Sequence, residues 1–274
     1  MALYFEESGP KNSETLIFLH GGGAGAWMWR KPVQLLADFH CLVPDLPEHD
    51  HSAAIKPFTM NSAALAVADL IRQHAHGGKA HLVGLSLGAQ VGVEILKTAP
   101  EVLKSAFLSS PMMKPLPGAR LGFYSEGVMR WSHRLFMKPF TNWDWWMRIN
   151  MKYAAGMPAE YYPEFKRVFQ TLSEDAWTHI MVESLTFRMP AGLDKVKIKV
   201  LAVAGKSEYG AMRDSVRMLA HTLPDAQAYL VNLAERRGVA ESHNWALSTP
   251  ELFAASVRAW VTGKPQPSEL EKLE

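Results

Sequence analysis

The chain has a single cysteine, Cys41, among 274 residues, and its positive and negative charges almost cancel. One cysteine excludes a disulfide within the chain, which is typical of proteins in a reducing compartment. The formal net charge is +2, and the lysines and arginines are scattered rather than clustered. The sequence therefore shows no basic patch of the kind that binds nucleic acid or an anionic membrane.

Long apolar runs and a basic leader are also lacking. No apolar stretch approaches the roughly 18 residues of a membrane-spanning helix. The N-terminus, from Met1 to Glu7, is acidic and lacks the basic start and the long apolar run of a signal peptide. These absences predict a soluble, cytoplasmic protein without a membrane span.

What the chain does have is an alternation of strand and helix patterns up to residue 111, which resumes near residue 196. The apolar run Thr15–Leu19 is typical of a strand that is buried on both faces of a sheet. This alternation predicts an α/β fold with a doubly wound parallel sheet and helices on both faces. Residues 1–111 and 196–274 would form this core, and the polar residues 264–274 would be frayed.

Residues 112–195 interrupt the alternation with a helical pattern that is rich in large apolar side chains. They hold five of the nine tryptophans and nine of the 14 methionines. Any one such aromatic is more often part of a core than of a binding site. The whole set exceeds what so small a layer needs, so we interpret the segment as a helical cap, or lid, over a ligand cavity. The possible substrate-pocket residues are Gly23, Trp27, Trp143, Trp146 and Trp245.

The chemistry centres on Gly84–Gly88, which reads Gly-Leu-Ser-Leu-Gly. A β-prone stretch precedes it, and an apolar stretch at helical spacing follows until Pro100. Strand, Gly-x-Ser-x-Gly and helix in this order is the context of a nucleophile elbow. Flanking glycines leave room for a serine in a sharp turn, so Ser86 is the candidate nucleophile; the alternative is an ordinary strand-to-helix turn.

A serine nucleophile requires a base near its hydroxyl and an acid that orients the base. His243 is the only histidine in the loop after the last predicted core strand, which makes it the candidate base. Glu208 lies in the loop after the strand that ends at Ala204, which makes it the candidate acid. Asp214, further along and within the next predicted helix, is the second choice for that role.

Backbone N–H groups near the nucleophile would bind the developing oxyanion. The N–H of Leu87, directly after Ser86, is one candidate, and Gly22 in the glycine-rich loop after Leu19 is the other, with Gly23 as an alternative. The same loop could instead cradle a phosphate. However, it lacks the Gly-Lys-Ser/Thr sequence and the dinucleotide-binding pattern that such a role requires.

Two histidine pairs, His49-x-His51 and His74-x-His76, have the spacing of metal ligands. Neither has a carboxylate or thiolate that completes a recognisable ligand set, so we expect solvated histidines and no metal. Asp45, after a predicted strand, lies too early in the chain and outside an elbow to be a nucleophile. We expect it to shape the turn.

Together these residues resemble the α/β-hydrolase fold superfamily. The similarity rests on His20–Gly23, Pro44–Pro47, Gly84–Gly88, Gly205–Glu208 and His243. The resemblance implies an eight-stranded, mostly parallel sheet with a helical cap inserted after the strand that follows the elbow, and a serine hydrolase without a cofactor. The family usually has aspartate where Glu208 stands, and glycines in the turn where Glu48 and Asp50 stand.

The sequence thus favours a carboxylesterase-like hydrolase that cleaves an ester of a small or medium apolar substrate through Ser86, His243 and Glu208. Lactonases, carbon–carbon bond hydrolases and cofactor-free haloperoxidases use similar parts, and the sequence does not separate them. A second hypothesis is a binding protein on the hydrolase scaffold with vestigial turnover. Neither the oligomeric state nor the pathway follows from the sequence.

Overall fold

A computed structural model describes residues 2–115, 121–233 and 238–273. Its strands are β1 (Phe5–Ser8), β2 (Thr15–Leu19), β3 (His40–Pro44), β4 (Ala80–Leu85), β5 (Leu103–Ser109), β6 (Lys199–Gly205), β7 (Ala226–Val231) and β8 (Leu270–Lys272). They form one eight-stranded sheet in the order β1-β3-β2-β4-β5-β6-β7-β8. The six strands from β2 to β7 pair in parallel, while β1 and β8 pair antiparallel at the two edges. The predicted doubly wound, mostly parallel sheet is confirmed.

The α-helices of the described residues flank this sheet or lie between β5 and β6. They are α1 (Arg30–Leu35), α2 (Met60–His74), α3 (Leu87–Thr98), α4 (Glu126–Ser132), α5 (Asp144–Ile149), α6 (Tyr162–Thr171), α7 (Glu174–Thr186), α8 (Gly210–Thr222), α9 (Val239–His243), α10 (Trp245–Ser248) and α11 (Pro250–Thr262).

Two hydrophobic cores lie on opposite faces of the sheet. Strand β2 sends Ile17 and Leu19 into the core that contains α2, α3 and α8, and Leu16 and Phe18 into the core that contains α10 and α11. Side chains alternate between the faces along a strand, so a strand covered on both sides needs apolar residues at every position. All five residues of β2 are buried, as its apolar run predicts.

Helices α4 to α7 fill the interval between β5 and β6, where the sequence predicts an inserted helical segment. Helices α4 and α5 each continue into a π-helical turn, at His133–Met137 and Asn150–Ala154. Ser173 caps α7, because its side chain accepts a hydrogen bond of 3.1 Å from the N–H of Ala176. The division into a core of residues 1–111 and 196–274 and a cap of residues 112–195 stays a prediction.

The expectation of a frayed C-terminus is wrong for residues 270–272, which form β8. Leu270 is buried in the sheet's second core, and β8 pairs with β7 through Val231 and Leu270. Residues 264–274 are mostly polar, but Leu270 is buried in this core and Leu273 packs against the core on the other face. Within residues 2–115, 121–233 and 238–273, none of the helices combines the length and the apolar character that crossing a bilayer would need.

Candidate active site

Ser86 lies between β4 and α3 in a strained backbone conformation, with φ 55° and ψ −115°. Its N–H donates to the carbonyl of Ser109 at 2.9 Å, which fixes the turn to the neighbouring strand. A Cβ atom at Gly84 would lie 2.6 Å from the carbonyl oxygen of Gly88, and one at Gly88 would lie 2.1 Å from that of Leu19. Both glycines are therefore required by close backbone contacts, as the elbow pattern predicts.

A cavity of about 470 Å³ contains Ser86 and His243 in its wall. Its lining is mainly apolar. Most of the lining side chains come from α7, from the end of α6 and from the segments that follow β5 and β6. These residues are Met112, Phe169, Leu172, Trp177, Ile180, Met181, Leu185, Tyr209 and Met212. An apolar cavity with a few polar groups at one end is typical of a small-molecule site.

The imidazole of His243 is held by Glu208. Nδ1 of His243 lies 2.5 Å from Oε1 of Glu208, whose side chain is only 1% exposed. A carboxylate that binds Nδ1–H leaves Nε2 as the acceptor nitrogen, directed away from the acid. In the described part of the chain no hydrogen bond joins Oγ of Ser86 to the ring of His243.

Two further donors fix the other oxygen of Glu208. Oε2 accepts from the hydroxyl of Ser110 at 2.8 Å and from the N–H of Gly205 at 2.5 Å. Ser110 is fully buried and has a positive φ of 52°, which side chains rarely adopt. Ser110 was not among the residues predicted from the sequence, where its one signal is a hydroxyl directly after a core strand. The half-exposed carboxylate of Asp214 pairs with Arg217 at 3.4 Å, whereas the acid that contacts His243 is Glu208.

The glycine-rich loop after β2 passes beside the elbow. A Cβ at Gly21 would lie 3.7 Å from the Cβ of Ser86, and one at Gly22 would lie 3.7 Å from a methyl of Leu87. Gly22, Gly23 and Leu87 all line the cavity. Leu87 is the first residue of α3, where backbone N–H groups lack partners within the helix. The loop and the helix start therefore border the cavity together.

His20 ties this loop to the segment after β3. It is fully buried; Nδ1 donates to the carbonyl of Gly21 at 2.8 Å, and Nε2 accepts from the N–H of Leu46 at 3.0 Å. Burial lowers the pKa of His20 to about 4, so the ring is neutral at neutral pH. A neutral ring is the only form that can donate at one nitrogen and accept at the other.

Comparisons with known proteins agree with this architecture. A model of the alpha/beta hydrolase family matches residues 16–256. The chain belongs to the α/β-hydrolase family. An AB hydrolase superfamily protein of Gibberella zeae is 26% identical over 280 residues, which cover 98% of this chain and 87% of that protein.

Solved structures show the same fold. A thermophilic esterase from Thermogutta terrifontis superposes with a TM-score of 0.73 at 18% identity, over 95% of this chain and 93% of that one. The enol-lactonase from Burkholderia xenovorans also gives 0.73 at 18% identity, over 95% and 96%. The likeness to these two shows the fold alone. The recognised family is confirmed, and relatives named as hydrolases and esterases support hydrolase activity.

Two of the tryptophans expected in the pocket of this α/β-hydrolase lie in the core instead. Trp245 is fully buried, packs on Phe253 with a centroid distance of 4.7 Å and donates from Nε1 to Oγ of Ser109 at 2.8 Å. Trp27 is buried, its ring lies 5.9 Å from that of Tyr161, and it borders a different cavity, which Asp45 and Arg167 also line. Neither lines the Ser86 cavity; both belong to the hydrophobic core that contains α10 and α11.

The two tryptophans of residues 112–195 that were expected in the pocket also lie outside the cavity. Trp143 is 49% exposed and stacks on Trp145, and Trp146 packs against Phe140 at 5.4 Å. These rings cluster with one another around the short helix α5 rather than turning inward. Among the described tryptophans, Trp177 on α7 lines the cavity, and Gly23 lines it too.

The expectation of solvated histidines is wrong for His49. It is fully buried, its ring lies 4.8 Å from that of His20, and burial lowers its pKa to about 3. His51 approaches Asp45 and Asp50, and their ligand-type atoms lie within 4.8 Å of one another. Asp45 accepts from the N–H of Ala26 at 2.6 Å and from His51 at 2.9 Å, so it shapes the turn as expected.

We expect the stability of this hydrolase to fall as the pH drops from 6.5 toward 4, because His20 and His49 stay neutral when buried. In the unfolded chain both take up protons near their ordinary pKa of 6.5. The unfolded state then binds more protons, which lowers the free energy of unfolding by up to about 1.4 kcal/mol per pH unit for each histidine. Urea unfolding at several pH values in this window measures the slope.

The variant His49→Leu is expected to reduce this slope, whereas His221→Gln, on the exposed side of α8, leaves it unchanged. Equal slopes for His49→Leu and the unsubstituted protein would contradict the assignment of the buried ring as neutral.

Proposed function

We propose that this α/β-hydrolase is a carboxylesterase-like serine hydrolase. The observation that carries the proposal is that Ser86, on its strained turn, shares one cavity with a histidine held by a buried glutamate. Such an arrangement generates a nucleophile that a free serine hydroxyl does not provide near neutral pH. In this proposal Ser86 is the nucleophile, His243 the base and Glu208 the orienting acid.

The reaction follows from these roles. Oγ of Ser86 attacks the ester carbonyl while its proton passes to Nε2 of His243, and the carbonyl oxygen gains negative charge. The N–H groups of Gly22 and Leu87, which border the cavity, would bind that oxyanion. The imidazolium then gives its proton to the leaving alkoxide, and the acyl-enzyme forms. Water, deprotonated by His243, hydrolyses the acyl-enzyme and restores the serine.

The two ends of the substrate fall on different sides of His243. The cavity of about 470 Å³ with its apolar lining suits the acyl group. A second cavity of about 480 Å³ shares His243, Tyr209 and Met212 with the first and extends toward Tyr153 and Val239. Because His243 protonates the leaving group, the alcohol part belongs on this second side. Helices α6 and α7, which supply much of the acyl cavity, would act as its lid.

A series of p-nitrophenyl esters with lengthening acyl chains tests this function. We expect kcat/KM to rise by about two- to fourfold per added methylene until the cavity is full, since each buried methylene contributes roughly 0.8 kcal/mol. Ile180→Trp fills the acyl cavity and should move the optimum to shorter chains. Val239→Trp, on the alcohol side, should keep the acyl profile and penalise bulky alcohols instead.

Turnover that does not depend on acyl length, or one profile shared by both variants, would contradict the assignment of the two cavities. No turnover of any ester, together with tight retention of an apolar compound, would favour the alternative of a binding protein on the hydrolase scaffold. Lactones included in the same series test the related cyclic esters.

A further inference from the structure

We propose that Glu48 and Asp50 are positioning residues that hold helices α6 and α7 over the glycine-rich loop Gly21–Gly25, which we call the oxyanion loop. In this way they set the shape of the acyl cavity. Both lie in the segment Asp45–Ser52, which we call the 45–52 loop. The inference rests on the proposed function for its effect on substrates. The contacts between the 45–52 loop and the two helices do not depend on that function.

Two residues of the 45–52 loop have positive φ angles, which favour glycine, yet both carry a carboxylate side chain. Glu48 has a φ of 60° and Asp50 a φ of 39°, in the left-handed region that glycine adopts most easily. The N–H of Glu48 donates to the carbonyls of Ser52 and Ile55 at 3.2 and 3.0 Å, which fixes the strained turn. Strain of this kind persists only where surrounding contacts compensate for it.

The carboxylate of Glu48 is buried against helix α7. Its side chain is 2% exposed, and Oε2 lies 2.8 Å from Nδ1 of His179. The same oxygen accepts from the N–H of Phe58 at 2.9 Å, which ties it to the chain before α2. A second link joins these elements, since Glu183 of α7 accepts from the N–H of Met60 at 2.7 Å. A buried carboxylate requires such partners, so its position fixes the position of α7.

The carboxylate of Asp50 holds helix α6 in the same way. Its side chain is 4% exposed, and both of its oxygens pair with the guanidinium of Arg167, one of them at 2.8 Å from Nη2. A bidentate pair of this kind fixes orientation as well as distance. The carboxylate also holds the pKa of Arg167 above its ordinary value.

The residues next to these two contacts cover the oxyanion loop. Ile180 directly follows His179, and a Cβ at Gly22 would lie 3.6 Å from its Cγ2. Phe169 is two residues after Arg167, and a Cβ at Gly23 would lie 3.6 Å from its ring. Both side chains line the acyl cavity. Movement of either helix would therefore change the cavity wall that faces the candidate oxyanion donors.

The 45–52 loop also holds the oxyanion loop from its other side. The N–H of Leu46 donates to His20, whose other nitrogen donates to the carbonyl of Gly21, and the buried ring of His49 packs on that of His20. One short segment thus contacts both the oxyanion loop and the two helices above it. The two carboxylates therefore link the position of α6 and α7 to that of the oxyanion loop.

The variants Glu48→Gly and Asp50→Gly test this proposal, because glycine removes the side chain with its carboxylate and suits the positive φ of both positions. Hydrogen exchange of residues 162–186 should accelerate by about tenfold in each, since a local opening becomes easier. KM for a decanoyl ester should rise by about tenfold, while kcat for an acetyl ester changes by less than about twofold. Glu48→Gln, which keeps an acceptor oxygen, should fall between these limits.

Lys31→Met is the matched control, because it breaks another pair between the core and the inserted segment, to Glu160, with both partners about half exposed. It should leave exchange in residues 162–186 and both kinetic constants unchanged. Unchanged exchange in both glycine variants, or the same acceleration in Lys31→Met, would overturn the proposal. An equal loss of kcat for all esters would overturn it too. Exchange needs no substrate, so it decides the proposal even if the protein hydrolyses no ester.

Discussion

Replacing Ser86 with alanine is expected to lower kcat/KM for an ester by about 10⁴-fold or more, because the acyl-enzyme cannot form without the hydroxyl. The substitution removes one oxygen at a residue whose backbone is fixed by Ser109 and by the start of α3. We therefore expect the fold and the binding of apolar ligands to remain. Steady-state kinetics on the best ester of the acyl series measures the effect.

Covalent labelling supplies a second measurement of the same prediction. A fluorophosphonate probe should modify one serine, identified by mass spectrometry in the peptide that contains Ser86, and Ser86→Ala should not be labelled. Ser13→Ala, whose hydroxyl donates to the carbonyl of Pro10 in an exposed turn, is the control and should be labelled and active. Comparable turnover by Ser86→Ala and the unsubstituted protein would show that the nucleophile lies elsewhere.

The parts of the fold that local sequence determines were predictable. A strand buried on both faces must be apolar throughout, so β2 was visible as a continuous run. The elbow was visible because two close backbone contacts permit only glycine at positions 84 and 88. These features depend on residues a few positions apart, which a sequence displays directly.

Features that depend on partners distant in sequence were missed or misplaced. By sequence His49 resembles a solvated loop histidine, but the rings of His20 and Phe58 pack against it and it is fully buried. A large ring such as Trp245 is suited equally to a cavity and to a core, and only the packing of Phe107 and Phe253 decides the outcome. Composition therefore predicted an aromatic-rich insert without predicting which rings face inward.

The contacts of Glu208, the candidate acid, also come from residues that are distant in the sequence. Ser110 is 98 positions from Glu208 in the chain, and only the parallel pairing of β5 and β6 brings the two loops together. Glu48 and Asp50 were noted as departures from the usual glycines, but their partners on α6 and α7 are more than 100 positions away. A sequence identifies unusual residues more readily than it identifies their contacts.

Replacing Glu208 with glutamine is expected to lower kcat by about 10³- to 10⁴-fold with little change in KM, because the histidine would adopt the wrong tautomer. Oε2 of Glu208 accepts from Ser110 and from the N–H of Gly205, so the amide oxygen of glutamine would occupy that side. The amide nitrogen would then face Nδ1 of His243, which lies 2.5 Å from the present carboxylate oxygen. An N–H donor there requires an unprotonated Nδ1, which places the proton on Nε2.

A ring protonated on Nε2 cannot accept the proton of Ser86, so the loss should appear in the chemical step rather than in binding. Asp214→Asn is the matched control, since that carboxylate is half exposed and pairs with Arg217. It should change kcat by less than about twofold, and the Glu208→Gln protein should still bind an apolar competitive inhibitor normally. The opposite ranking of the two variants would move the acid to Asp214, and equal activity of both would mean that His243 needs no buried carboxylate to act as the base.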